Sequence, residues 1–122
     1  MANIKSYTDL EQSKKLAEIL PLESADMYWD YDVQKHEYYP MVMDYQFDDT
    51  CICAWSLAAL LGIASTYCSR LEITLRADKK YNVFAVKNNF VFRSFDDHPD
   101  GFDNLIDACY EMILKLNELK ML

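Results

Sequence analysis

The stretch "LEITLRADKKYNVFAVKNNFVFRSF", residues 71–95, decides the architecture. Leu71, Ile73 and Leu75 alternate with Glu72, Thr74 and Arg76, the period-two pattern of a strand with one buried face. Ala77-Asp78-Lys79-Lys80 reads as a turn, and Tyr81 to Val86 as the next strand. Lys87-Asn88-Asn89 is a second turn, because asparagine tolerates positive φ. Phe90 to Phe95 then closes a three-stranded meander. Connections this short predict antiparallel pairing, since parallel neighbours need a long crossover.

Outward on the C-terminal side, Asp100-Gly101-Phe102-Asp103 is expected to open a long helix. Phe102, Ile106, Cys109, Ile113 and Leu116 recur at helical spacing, and Leu105, Met112 and Leu119 widen that apolar stripe. The stripe reaches the last residue and reads as core, with a dimer contact at Met121 and Leu122 as the alternative. On the N-terminal side, Trp55 to about Ala64 reads as a short buried helix capped by Asp49 or Thr50.

From Asp26 to Phe47 the pattern is again near-alternation. Met27, Trp29, Tyr31 and Val33 fall on one face, and Tyr28, Asp30 and Asp32 on the other. Beyond Gln34-Lys35-His36-Glu37, the set Met41, Met43, Tyr45 and Phe47 alternates with Val42, Asp44 and Gln46. Two strands joined as a hairpin follow, with acids on the solvent face. Pro40 places the second strand at a sheet edge or at its own start. Thr8-Asp9-Leu10-Glu11 has the form of a capping box with Thr8 as cap, beginning a helix that stops before Pro21. The element order α-β-β-α-β-β-β-α predicts an α+β fold. An antiparallel sheet, hairpin plus three-stranded meander, packs with N-terminal, central and C-terminal helices in a single domain over 1–122.

The chain is 52% hydrophobic over 122 residues, enough for one core without metals or cross-links. No apolar leader opens the sequence, and the longest apolar run, Cys51 to Ala64, is too short to span a bilayer. A cytoplasmic setting with no membrane contact is the expectation. Four cysteines in that setting read as free thiols. Cys51-Ile52-Cys53 lacks knuckle spacing and accompanying histidines, so the pair reads as a seam of the core with no metal site and no cofactor. Two glycines exclude a glycine-rich phosphate cradle, and neither a nucleophile elbow nor a zinc-protease helix motif occurs. No catalytic residue is assigned, and the reading leans away from an enzyme.

Net charge is −8 and unevenly placed. Residues 23–49 carry eight acids and only Lys35 as a base, residues 70–93 carry six bases and two acids, and residues 96–107 carry five aspartates. An acidic chain is a poor ligand for nucleic-acid phosphates and a natural one for a basic or nucleic-acid-binding protein. Seven aromatic rings interleave with the acids of 26–49. Tyrosines give contact area at low entropy cost, and carboxylates select a basic partner or imitate a row of phosphates. The candidate partner-binding residues are Asp26, Tyr28, Asp30, Asp32, Tyr38, Tyr39 and Asp44. The basic strands of 70–93 are expected to complement this acidic surface within the molecule or in a homodimer.

Three stretches, "LPLESADMYWDY" (20–31), "AWSLAALLGI" (54–63) and "DACYEMILKLNELKML" (107–122), resemble a family of small uncharacterised proteins from gut Bacteroidetes and their phages or mobile elements. The resemblance implies a genomic setting and carries no activity or catalytic residue. The functional expectation is a non-enzymatic interaction protein of phage or mobile-element type, binding a basic partner protein through the acidic-aromatic segment. A small-ligand or metal-binding domain, with a pocket between the sheet and the 55–64 helix, is the alternative.

Overall fold

The structure, a computed structural model, describes residues 5–120. The dimer contact read at Met121 and Leu122 lies outside those residues. The α+β expectation holds: the described elements are helices and two three-stranded antiparallel sheets, ordered β2-β1-β3 and β4-β5-β6. The chain runs α1 (Leu10–Ile19), a 3-10 turn (Leu22–Ser24), β1 (Met27–Asp32), β2 (Glu37–Val42), β3 (Ile52–Ala54), α2 (Leu57–Tyr67), β4 (Arg70–Leu75), β5 (Tyr81–Lys87), β6 (Phe90–Arg93), α3 (Ser94–Asp97) and α4 (Leu105–Glu118).

The meander forms as its alternation predicts, with Leu71 opposite Ala85 and Ala85 opposite Phe92 on the buried face. Its turns place Lys79 and Asn88 at φ 69° and 55°. β6 stops at Arg93 rather than Phe95, because the Ser94 hydroxyl takes the Val83 amide at 2.8 Å where the next ladder bond would come. Phe102 does not start the last helix. Its backbone bridges to Tyr81, and Asn104 caps α4 by accepting the Asp107 amide at 2.8 Å. α4 is then shared by two apolar clusters. Ile106, Cys109 and Ile113 pack with Leu16, Leu20, Trp55 and Leu60, while Ala108, Met112 and Leu116 pack with Val83, Ala85 and Phe92.

The N-terminal half departs from expectation in three places, each for a traceable reason. Asp9, not Thr8, caps α1: its carboxylate accepts the Gln12 amide at 2.8 Å, and the Gln12 side chain accepts the Asp9 amide. Thr8 is buried instead, with its hydroxyl accepting the Trp55 amide at 3.1 Å and meeting the Ser13 hydroxyl at 2.7 Å. Ile52–Ala54 is a strand on the far side of β1, so Trp55 precedes the helix and Ser56, not Asp49 or Thr50, caps α2. The second hairpin strand ends at Val42, and residues 43–51 turn back toward β3.

β2 is an edge strand, one of the two placements expected from Pro40. The Met43 amide donates to the Asp26 carbonyl at 3.0 Å. Counting inward in the antiparallel register from that bonded pair, Tyr28–Met41, Asp30–Tyr39 and Asp32–Glu37 exchange backbone bonds. Tyr38, Pro40 and Val42 therefore turn their backbones outward, and proline removes the middle donor of that edge.

Candidate functional site

The β1–β2 hairpin holds the candidate residues, and alternation sorts them onto two faces. Asp30, Asp32, Glu37 and Tyr39 share one; Tyr31 and Tyr38 share the other, with ring centroids 5.0 Å apart. Tyr38 and Tyr39 are 37% and 38% exposed. The Tyr39 hydroxyl donates to Asp30 at 3.1 Å, and this bond, with burial and the nearby carboxylates, raises the tyrosine pKa. Asp30 also accepts the Tyr31 amide at 2.9 Å, which has no ladder partner once β3 has ended. Asp32 accepts the Gln34 and Lys35 amides at 3.0 and 3.2 Å and so shapes the hairpin tip, where His36 takes φ 55°.

Three of the proposed residues do structural work. Tyr28 is fully buried, contrary to its assignment to a solvent face. β1 is the central strand of its sheet, and at its N-terminal end both faces are covered: Tyr28 packs edge-on to Phe47 at 5.6 Å, Trp29 likewise to Tyr7 at 5.7 Å. Asp44 accepts the Tyr28 hydroxyl at 2.7 Å and the Gln46 amide at 2.9 Å, pinning the loop after β2. That bond and burial push the Tyr28 hydroxyl far above the usual tyrosine range. Asp26 accepts both the amide (2.9 Å) and the hydroxyl of Ser56, bracing the start of α2.

Glu37 and Asp48 join the surface although neither was singled out. Cross-strand register would have found the first, because Glu37 sits directly opposite Asp32. Like charges so placed destabilise a sheet. Among the described residues, none of the ion pairs engages a carboxylate of 23–49. The expectation that bases of 70–93 neutralise the hairpin within the molecule is corrected by those pairs. Arg70 meets Glu72 at 2.6 Å, Arg76 meets Asp78 at 2.8 Å, and Lys80 meets Asp103. The meander and the hairpin belong to different sheets, so strand neighbours and the 96–107 aspartates reach those bases first.

Cys51, just before β3, and Cys53 within it line an open groove of about 360 Å³ between α1 and residues 47–53, with Lys14, Leu22 and Phe47. This groove lies away from α2, whose Leu60 and Ala64 are fully buried. The Cys51 sulfur sits between Asp48 at 3.6 Å and Asp30 at 3.8 Å. Burial first, then those carboxylates, raises its pKa and suppresses the thiolate that a nucleophile or metal ligand needs. Burial pushes the Cys109 thiol up to about 11. All four cysteines are free, and among the described residues no three His, Cys, Asp or Glu side chains converge as a metal ion would require. No helix among them is long and apolar enough to cross a membrane. No protein-family model matches this chain, and neither a curated protein nor a solved structure is detectably similar to it.

Proposed function

We propose that the chain is a non-enzymatic interaction protein that binds a basic partner protein through the acidic face of its hairpin. The observation that carries this reading is the Asp32–Glu37 pair: two carboxylates opposed across the ladder beside Asp30, with no ion pair to a base among the described residues. Such an arrangement costs stability in the free protein and gains most when a cation arrives. Half-exposed Tyr39 supplies a rigid contact in the middle of the charges. In the phage or mobile-element setting proposed with this reading, the role is directed at proteins of a host or of the element itself.

The test is binding of a fluorescent Lys/Arg-rich peptide, followed by anisotropy at low and high salt. The double variant Asp32→Lys, Glu37→Lys should weaken binding at least about tenfold at low salt. Asp32→Asn with Glu37→Gln should weaken it while raising thermal stability, which separates lost binding from lost folding. Equal affinity for wild type and charge-reversed protein would sink the proposal.

A further inference from the structure

The outer face of the β4-β5-β6 sheet carries a feature that mirrors the hairpin. Glu72, Phe84 and Arg93 lie in one cross-strand row, and Arg70, Val86 and Val91 in the next. Phe84 is half-buried at the centre, and two guanidinium groups hold to its ring, Arg70 at 5.8 Å and Arg93 at 5.6 Å from the centroid. Arg70 spends its charge on Glu72 at 2.6 Å. Arg93, among the described residues, has no ion pair or hydrogen bond through its side chain and keeps its fork of donors for a ligand. Val86 and Val91 extend the centre as apolar surface, Val91 being 40% exposed.

We propose that this sheet face receives the acidic hairpin face of a second copy of the chain. The proposal rests on the hairpin reading above and names one partner for it. The two surfaces are complementary: one sets an aromatic ring between guanidinium groups, the other sets Tyr39 among Asp30, Asp32 and Glu37. They do not meet within one molecule, since the ion pairs of the described residues join neither to the other. A single-stranded nucleic acid is the weaker fit. It needs open ring faces for base stacking, whereas here the guanidinium groups already hold to the ring. What the surface offers instead is the open fork of Arg93 beside an apolar centre, which suits a carboxylate next to a tyrosine.

The full chain should be followed by sedimentation velocity over a wide concentration range at about 50 mM and about 500 mM salt, the second shrinking electrostatic reach to a few ångströms. Wild type should self-associate at low salt and at least about tenfold more weakly at high salt. Arg70→Glu with Arg93→Glu should be monomeric, and so should Asp32→Lys with Glu37→Lys. An equimolar mixture of the two should recover the assembled species, because each then offers what the other lacks. Arg93→Gln, a milder change, should weaken association without altering the far-UV circular dichroism. A wild type that stays monomeric at both salts overturns the proposal, and if it still binds the basic peptide the hairpin reading stands. Association unchanged in either reversed variant, or an oligo-dT strand that binds wild type and is lost with the arginines, overturns it equally.

Discussion

Replacing Thr8 by valine tests the joint that holds the N-terminal segment to the core. Valine keeps the shape of threonine and deletes only the hydroxyl. In the native protein that hydroxyl accepts the Trp55 amide at 3.1 Å and pairs with the Ser13 hydroxyl at 2.7 Å, in surroundings where all three residues are fully buried. Ser13 has a fallback, since its hydroxyl also approaches the Thr8 carbonyl at 3.4 Å. The Trp55 amide has none, and an orphaned buried donor costs about 1–3 kcal/mol. With the lost hydroxyl pair at about 0.5–1.5 kcal/mol, the substitution should destabilise by about 1.5–4.5 kcal/mol. For 122 residues, an unfolding entropy of about 2.1 cal/mol/K per residue makes each kcal/mol worth about 4 °C, so Tm should fall by about 6–18 °C. Calorimetry, with urea unfolding followed by circular dichroism, measures both quantities. Thr8→Ser retains the acceptor and should lose only about 1 kcal/mol for the missing methyl group. If Thr8→Val lies within about 0.5 kcal/mol of wild type, or if serine is as damaging as valine, the hydroxyl is not what secures this joint.

The two glycines should respond in opposite directions. A Cβ at Gly101, where φ is 75°, would meet the Lys80 Cβ at 2.8 Å and the Tyr81 carbonyl oxygen at 3.2 Å, so Gly101→Ala should cost about 1–3 kcal/mol in urea unfolding. A Cβ at Gly62 meets nothing within 4 Å inside α2, and Gly62→Ala should gain about 0.5–1 kcal/mol; the reverse ranking would refute the backbone argument. Burial works against the charge of Asp107, but hydrogen bonds from Lys5, Gln12 and Asn104 outweigh it and hold its pKa below the usual carboxylate value. A lowered folded pKa contributes stability above the unfolded value of about 4, and that contribution vanishes as pH falls through the folded pKa. Asp107→Asn should therefore flatten the acid limb of a stability–pH profile, and an unchanged slope between about pH 5 and pH 2 would count against the clasp.

The meander was legible because each strand is long enough to show its period and each turn carries its own chemistry. The C-terminal stripe was legible for the same reason, although its first turn was misplaced: Phe102 has the right spacing but is drawn into a bridge with Tyr81 that no local pattern announces. Thr8-x-x-Glu11 and Asp9-x-x-Gln12 are both well-formed capping boxes, and what separates them is the Trp55 amide, 47 positions away. Tyr28 was misread because alternation assigns one wet face per strand, and a central strand covered on both sides has none at that point. β3 is three residues long, too short to display any period. Of the candidate site, the acidic and aromatic composition was visible in the sequence. Which carboxylates brace loops and which oppose each other depends on register, and register depends on the partner strand.

The Lys5–Asp107 bond at 2.8 Å spans 102 positions, and Gln12 reaches the same carboxylate from α1 across 95. Closure over such distances sets an order of assembly. While the chain emerges from the ribosome at roughly 5–20 residues per second, α1 has neither its carboxylate anchor nor the face of α4 that receives Leu16, and must wait for both. The hairpin, whose contacts lie close in sequence, can take shape well before them. The acidic surface is thus local in sequence, while the core beneath it needs both ends of the chain before it closes.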